Sequence, residues 1–90
     1  MLVLATTAQF RRDSKLARKR GLGLDRLGAV VDMLLREETL PARYQDHALL
    51  GAYSGKRECH IAPDWLLVYR VADGRLIADR TGTHADLFGL

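Results

Sequence analysis

Hydrophobic positions along this chain change their spacing several times, and each change marks an element. The run "LVLAT", residues 2 to 6, is apolar and β-branched in part, which predicts a strand. Apolar positions then thin to Phe10, Leu16 and Ala17, which share one helical stripe, while Arg11, Arg12, Lys15, Arg18 and Lys19 fill the remaining surface. This predicts a helix from Ala8 to about Arg20, capped by Thr7 and ended by Gly21 and Gly23. Bases in its last turn suit the negative end of the helix dipole. Leu27, Val30, Val31, Leu34 and Leu35 recur at helical spacing and predict a second, core-facing helix over about residues 25–38, capped by Asp25. Gly28 inside it costs about 1 kcal/mol relative to alanine, so a close contact between helices is expected there.

Pro41, Gly51 and Gly55 interrupt residues 39–55, which read as loop. Beyond them the chain is strand-rich. A strand over about residues 56–62 turns at Pro63 and Asp64 into "WLLVYRV", residues 65–71, which is apolar enough for a central strand. "ADG", residues 72–74, is a hairpin turn with glycine where positive φ is wanted, and residues 75–81 form the answering strand. The order β-α-α-β-β-β describes a single α+β domain over residues 1–90, with a two-helix hairpin packed on one face of a mainly antiparallel sheet.

Composition is consistent with that picture. With 90 residues, 48% apolar and 28% charged, the chain makes one small globular domain with a modest core. No apolar run approaches the roughly 18 residues of a membrane span. "MLVLATTAQFRRD" has no basic segment ahead of its apolar stretch, so it does not read as a signal peptide. Cys59 stands alone and reads as a small buried residue in a protein of the reducing cytoplasm. The net charge of +3 is uneven: residues 1–45 carry nine Lys and Arg against five Asp and Glu, residues 46–90 five against six. Six bases and one acid fall within "RRDSKLARKR", residues 11–20. Such a segment suits a polyanion or an acidic peptide, and equally a solvated helix face.

All three histidines lie after residue 46, in company with Asp46, Asp64, Trp65, Arg80 and Phe88. His60 ends one strand, Asp64 and Trp65 open the next, and Arg80 closes the last, so antiparallel pairing gathers them at one edge of the sheet. His84 follows a glycine turn, and His47 precedes the strands. Imidazole accepts and donates protons near neutral pH, and a guanidinium binds phosphate oxygens in bidentate fashion. Together they suit cleavage of RNA by its own 2′-hydroxyl, which needs a base, an acid and a fixed cation on the phosphorane-like transition state. Trp65, Tyr69 or Phe88 would stack on unpaired bases. A metal site built from His47, His60, Asp64 and His84 is the rival use of the same residues. Their spacing matches no closed zinc pattern, and Arg80 would repel a cation, so no metal and no other cofactor is expected. The bland reading makes Trp65 core, Asp64 a turn residue and Phe88 a pin for the tail.

The segments "LPARYQDHALLGAYSGKRECHIAPDWLLVYRV" and "RTGTHADLFG", with "KLARKRG" and the second helix, closely resemble the YafQ-type toxins of the RelE superfamily over nearly the whole chain. The resemblance implies a microbial-ribonuclease-like fold and metal-independent cleavage of messenger RNA, typically in the ribosomal A site. It implies products ending in a 2′,3′-cyclic phosphate and a 5′-hydroxyl, and a cognate antitoxin that silences the toxin. The family's functional residues fall on His47, His60, Asp64, Trp65, Arg80, His84 and Phe88, all present here. On this basis His84 is expected as general acid, His47 as general base and Arg80 as the phosphate holder. His60 and Asp64 are expected as a supporting pair, either of which is an alternative base, and Trp65 and Phe88 as walls of the pocket. Arg18 and Lys19 on the basic helix are expected to meet ribosomal RNA or an acidic antitoxin segment. The competing class is a non-catalytic module that binds nucleic acid or a partner.

Overall fold

All six expected elements form, and a short strand, a short helix and two 3-10 turns join them. The computed structural model describes residues 1–89. Strands β1 (Val3–Thr6), β2 (His47–Ala48), β3 (Arg57–Ala62), β4 (Trp65–Ala72) and β5 (Arg75–Gly82) form one sheet in the order β1-β5-β4-β3-β2. Only β1 and β5 run parallel; the other pairings are antiparallel, as the pattern predicts. Helices α1 (Ala8–Lys19) and α2 (Leu24–Leu35) cover one face, and α3 (His84–Phe88) packs on the other.

Thr7 caps α1 as expected, its hydroxyl accepting the Phe10 amide proton at 3.0 Å. The buried stripe of α1 is Phe10, Asp13 and Ala17; Leu16 falls off it and is 43% exposed. An acid thus stands in the buried stripe, where Leu16 had been expected. Helix α2 begins one residue earlier than expected, with Gly23 at its N-cap, and Asp25 lies in the first turn, where a negative charge suits the positive end of the dipole. It ends at Leu35, because Arg36 leaves helical geometry and Glu37 takes φ 61°. Gly28 is exposed, and a Cβ there would meet nothing within 4 Å, so the expected close helix contact does not exist.

Alternation divides the sheet residues between two cores. Trp65, Leu67 and Tyr69 of β4, Cys59 and Ile61 of β3, and Leu76 and Ala78 of β5 face α1 and α2. Leu66 and Val68 face the other way and pack with Leu87 of α3. The β4–β5 turn uses Asp73 and Gly74, both at positive φ, as the "DG" dipeptide demands. Two residues expected in a loop, His47 and Ala48, pair with Glu58 and Arg57 as β2.

Candidate active site

The side of the sheet carrying α3 holds the chemistry. His47, Glu58, Val68 and Arg80 stand in register across β2, β3, β4 and β5. His60 lies one pleat further along β3, opposite Leu66, and Gly82 continues that row. Arg80 reaches this face through a bulge. Val68 pairs with Arg80 and Tyr69 with Ala78, leaving Asp79 as an extra residue. Strict alternation would have put Arg80 with Leu76 and Ala78 in the helix-side core.

Helix α3 brings in the third imidazole. Thr83 and Asp86 form a reciprocal capping box, which starts the helix at His84. Gly82 permits the fold-back, since a Cβ there would lie 2.9 Å from the Asp86 carboxylate. Asp86 also takes Arg20 of α1 at 2.6 Å, and these bonds hold its carboxyl far below the usual range. The tail is therefore fastened to the end of the basic helix.

The three imidazoles then stand in series. Ring centroids are 6.5 Å apart for His47 and His60, and 5.6 Å for His60 and His84. His84 rests on Asp64, whose Oδ1 accepts both the His84 amide proton at 2.9 Å and the ring Nδ1 proton at 2.6 Å. Those two bonds, the backbone one foremost, lower the Asp64 pKa, so at neutral pH it is a carboxylate. A carboxylate only accepts, so Nδ1 carries hydrogen and Nε2 is the nitrogen that exchanges a proton with a ligand. The expected pairing of Asp64 with His60 is corrected: the Pro63–Asp64 turn directs the carboxylate to the start of α3.

The carboxylate near His60 is Glu58, with Oε2 3.8 Å from His60 Nε2 and 3.2 Å from His47 Nε2. His47 Nδ1 lies 2.6 Å from the Gln45 carbonyl, which can only accept. Both His47 contacts are satisfied only when a proton lies between Nε2 and Glu58. Glu58 is 6% exposed, and its Oε1 is buried without a partner. An unsatisfied buried oxygen of this kind costs about 1–3 kcal/mol and marks a site where something other than stability decides the residue. Sequence reasoning missed Glu58, although strand alternation sets it on the same face as His60.

Arg80 is gripped by Asp13, with Nε to Oδ2 at 2.8 Å and Nη2 to Oδ1 at 3.3 Å. Burial acts to raise the Asp13 pKa, but hydrogen bonds from Arg80, Gln9 and the Thr81 amide outweigh it and leave the carboxyl below its ordinary range. Arg80 keeps 34% of its side chain exposed, enough for an incoming anion. Asp13, the one acid in the basic segment, was the sequence's only clue to this partner.

Phe88 meets Tyr53 edge-on, centroids 5.3 Å apart, beside this row. Tyr53, which sequence reasoning passed over, also lies within electrostatic reach of Arg80. Trp65 does not wall the site. It is 2% exposed on the opposite face, and its Nε1 donates to Thr81 Oγ1 at 2.9 Å. Tyr69 is likewise core, its hydroxyl donating to Asp46 at 2.5 Å, so neither ring can stack on a base. Cys59 is fully buried, and burial foremost pushes its thiol up to about 12, as expected of an unreactive residue. Arg18 and Lys19 are exposed at the end of α1, next to Arg20 and its bond to α3. Among the described residues no group of three or more His, Cys, Asp or Glu side chains is placed to hold a metal ion. No helix among them is long and apolar enough to cross a membrane.

Comparison with known proteins identifies relatives over nearly the whole chain. Residues 2–89 match the family described as the bacterial toxin of a type II toxin–antitoxin system, YafQ. The mRNA interferase toxin YafQ of Escherichia coli K12 is 43% identical over 84 residues, covering 92% of this chain and 91% of that protein. The toxin in a crystal structure of the E. coli DinJ–YafQ complex superposes with a TM-score of 0.91 at 40% identity, covering 99% and 100% of the two chains. A metal-bound toxin from Helicobacter pylori superposes with a TM-score of 0.92, also at 40% identity, covering 98% and 100%.

Proposed function

The chain belongs to the YafQ family of bacterial type II toxins, and from that premise we propose that it is an endoribonuclease that cleaves messenger RNA on the ribosome. The observation that carries this reading is the row of three imidazoles ending in a His84 ring whose Nδ1 is locked by Asp64. His47 Nε2, free once the proton it shares with Glu58 has left, takes the 2′-hydroxyl proton as that oxygen attacks the adjacent phosphorus, and Glu58 faces the imidazolium that forms. Arg80, aimed by Asp13, neutralises charge building on the non-bridging oxygens. The bond to the 5′-oxygen breaks, and His84 Nε2 protonates it. The products are a 2′,3′-cyclic phosphate and a 5′-hydroxyl. His60 stands between the two proton carriers and is the alternative base. Phe88 and Tyr53 line the tail side of the site. No step calls on a metal ion.

The relative in the DinJ–YafQ structures forms a toxin–antitoxin complex. A cognate antitoxin for this chain, acting in the cytoplasm, follows by the same reading. The exposed bases Arg18 and Lys19 receive either its acidic segment or ribosomal RNA.

Cleavage of ribosome-bound messenger RNA in the presence of chelator tests the mechanism. The wild type is expected to cut, and folded His84→Gln and Arg80→Ala to lose about 10²-fold or more. Undiminished cutting by both variants would overturn the residue roles. A wild type that halts nothing when induced alone would favour the non-catalytic binding module.

A further inference from the structure

A cavity of about 640 Å³ opens beside the imidazole row, between the start of α2, the 3-10 turn Ala42–Tyr44 and the end of β3. His60 belongs to both the cavity and the row, so the two adjoin at the end of β3. The volume lies within the roughly 300–1,000 Å³ of small-ligand pockets. Its lining includes Arg26, Arg43, Tyr44 and Gln45, with Asp25 as the one acid. Arg43 Cζ lies 4.7 Å from the Tyr44 ring centroid and Nη2 donates to the ring's hydroxyl at 3.1 Å, which sets a guanidinium against an aromatic ring. Arg26 is held by a bond from Nη2 to the Ile61 carbonyl at 3.1 Å. Among the described residues neither arginine makes an ion pair, so both retain charge for a ligand. The Gln45 carbonyl is the one that receives His47 Nδ1, so the cavity wall and the proposed base share a residue.

A guanidinium against an aromatic ring, a second guanidinium and a side-chain amide match one chemical class, a single unstacked nucleotide. We propose that this cavity is a nucleotide subsite that holds the residue flanking the scissile linkage of a single-stranded RNA. Its base lies on the Arg43–Tyr44 pair, Gln45 reads the base edge, and Arg26 takes the phosphate. The inference deepens the endoribonuclease reading and rests on it.

The test uses the full chain and single-stranded hexaribonucleotides carrying one 2′-deoxy residue at the cleavage point, with each base placed in turn at the flanking positions. Arg43→Gln with Tyr44→Ala is expected to weaken binding about tenfold or more and to flatten base preference at one flanking position. Tyr44→Phe, which keeps the ring, is expected to retain most of the affinity. With ribosome-bound messenger RNA the double variant is expected to raise KM and leave kcat near wild type. Unchanged affinity and base preference in the folded double variant would overturn the subsite, and so would loss of antitoxin binding with RNA binding intact. Failure of the parent reading looks different: the wild type would not cut ribosome-bound messenger RNA, whatever the variants do to binding of the 2′-deoxy form.

Discussion

Replacing Asp13 by asparagine should weaken both the fold and the site, for one reason. Its carboxylate accepts from Arg80 twice, from the Thr81 amide and from Gln9, while only 8% exposed. The amide presents a donor where Arg80 needs an acceptor. Breaking a fully buried charge pair costs about 3–5 kcal/mol. Arg80 keeps 34% of its side chain exposed and rehydrates in part, which brings the expected loss to about 2–3 kcal/mol. In a domain of this size each kcal/mol moves Tm by roughly 4–8 °C, so a fall on the order of 10–20 °C is expected. Urea denaturation followed across pH adds a sign to the test. The folded Asp13 pKa lies below the unfolded value of 3.8, so its contribution is present in full above that value and lost as pH falls through the folded one. The gap between wild type and Asp13→Asn should stay constant from about pH 7 to 5 and close below about pH 4. Cleavage should fall further than stability explains, because Arg80 loses its aim. Equal urea midpoints at neutral pH, or a gap that persists undiminished to the lowest pH at which the chain folds, would refute the reasoning.

Three further outcomes follow from the same geometry. Glu58→Gln should cut cleavage about 10²-fold, with stability held or raised, since a buried carboxylate with one unpartnered oxygen is replaced by a neutral group; kinetics and denaturation together check this. Trp65→Phe should cost about 1 kcal/mol or more through the lost bond to Thr81 while kcat stays near wild type, and a selective loss of kcat would return Trp65 to the site. Arg18→Glu with Lys19→Glu should weaken ribosome binding and reduce its dependence on salt without altering the cleavage step; an unchanged salt slope would remove the basic helix end from the interface.

Much of this molecule is decided by spacing along the chain. The helical stripes of α1 and α2, the apolar run of β4 and the "DG" turn are local signals, and each forms close to where its pattern lies. Period-two alternation also groups Trp65 with Leu67 and Tyr69 in the core, against the expectation that it would wall the pocket beside Asp64. The capping box of Thr83 and Asp86 was equally present as a local signal for α3. What only the tertiary structure decided are the pairings that close the site. The two residues of β2 have no periodicity of their own and exist because β3 offers them hydrogen bonds. Arg80 reaches the imidazole face because one extra residue at Asp79 breaks the alternation, and the carboxylate that holds it is 67 residues away in α1. Asp64 takes His84 rather than His60 because a two-residue turn and a folded-back tail meet in space. Local patterns arise from sterics within a few residues, whereas these contacts depend on how strands, a bulge and the tail are packed against each other.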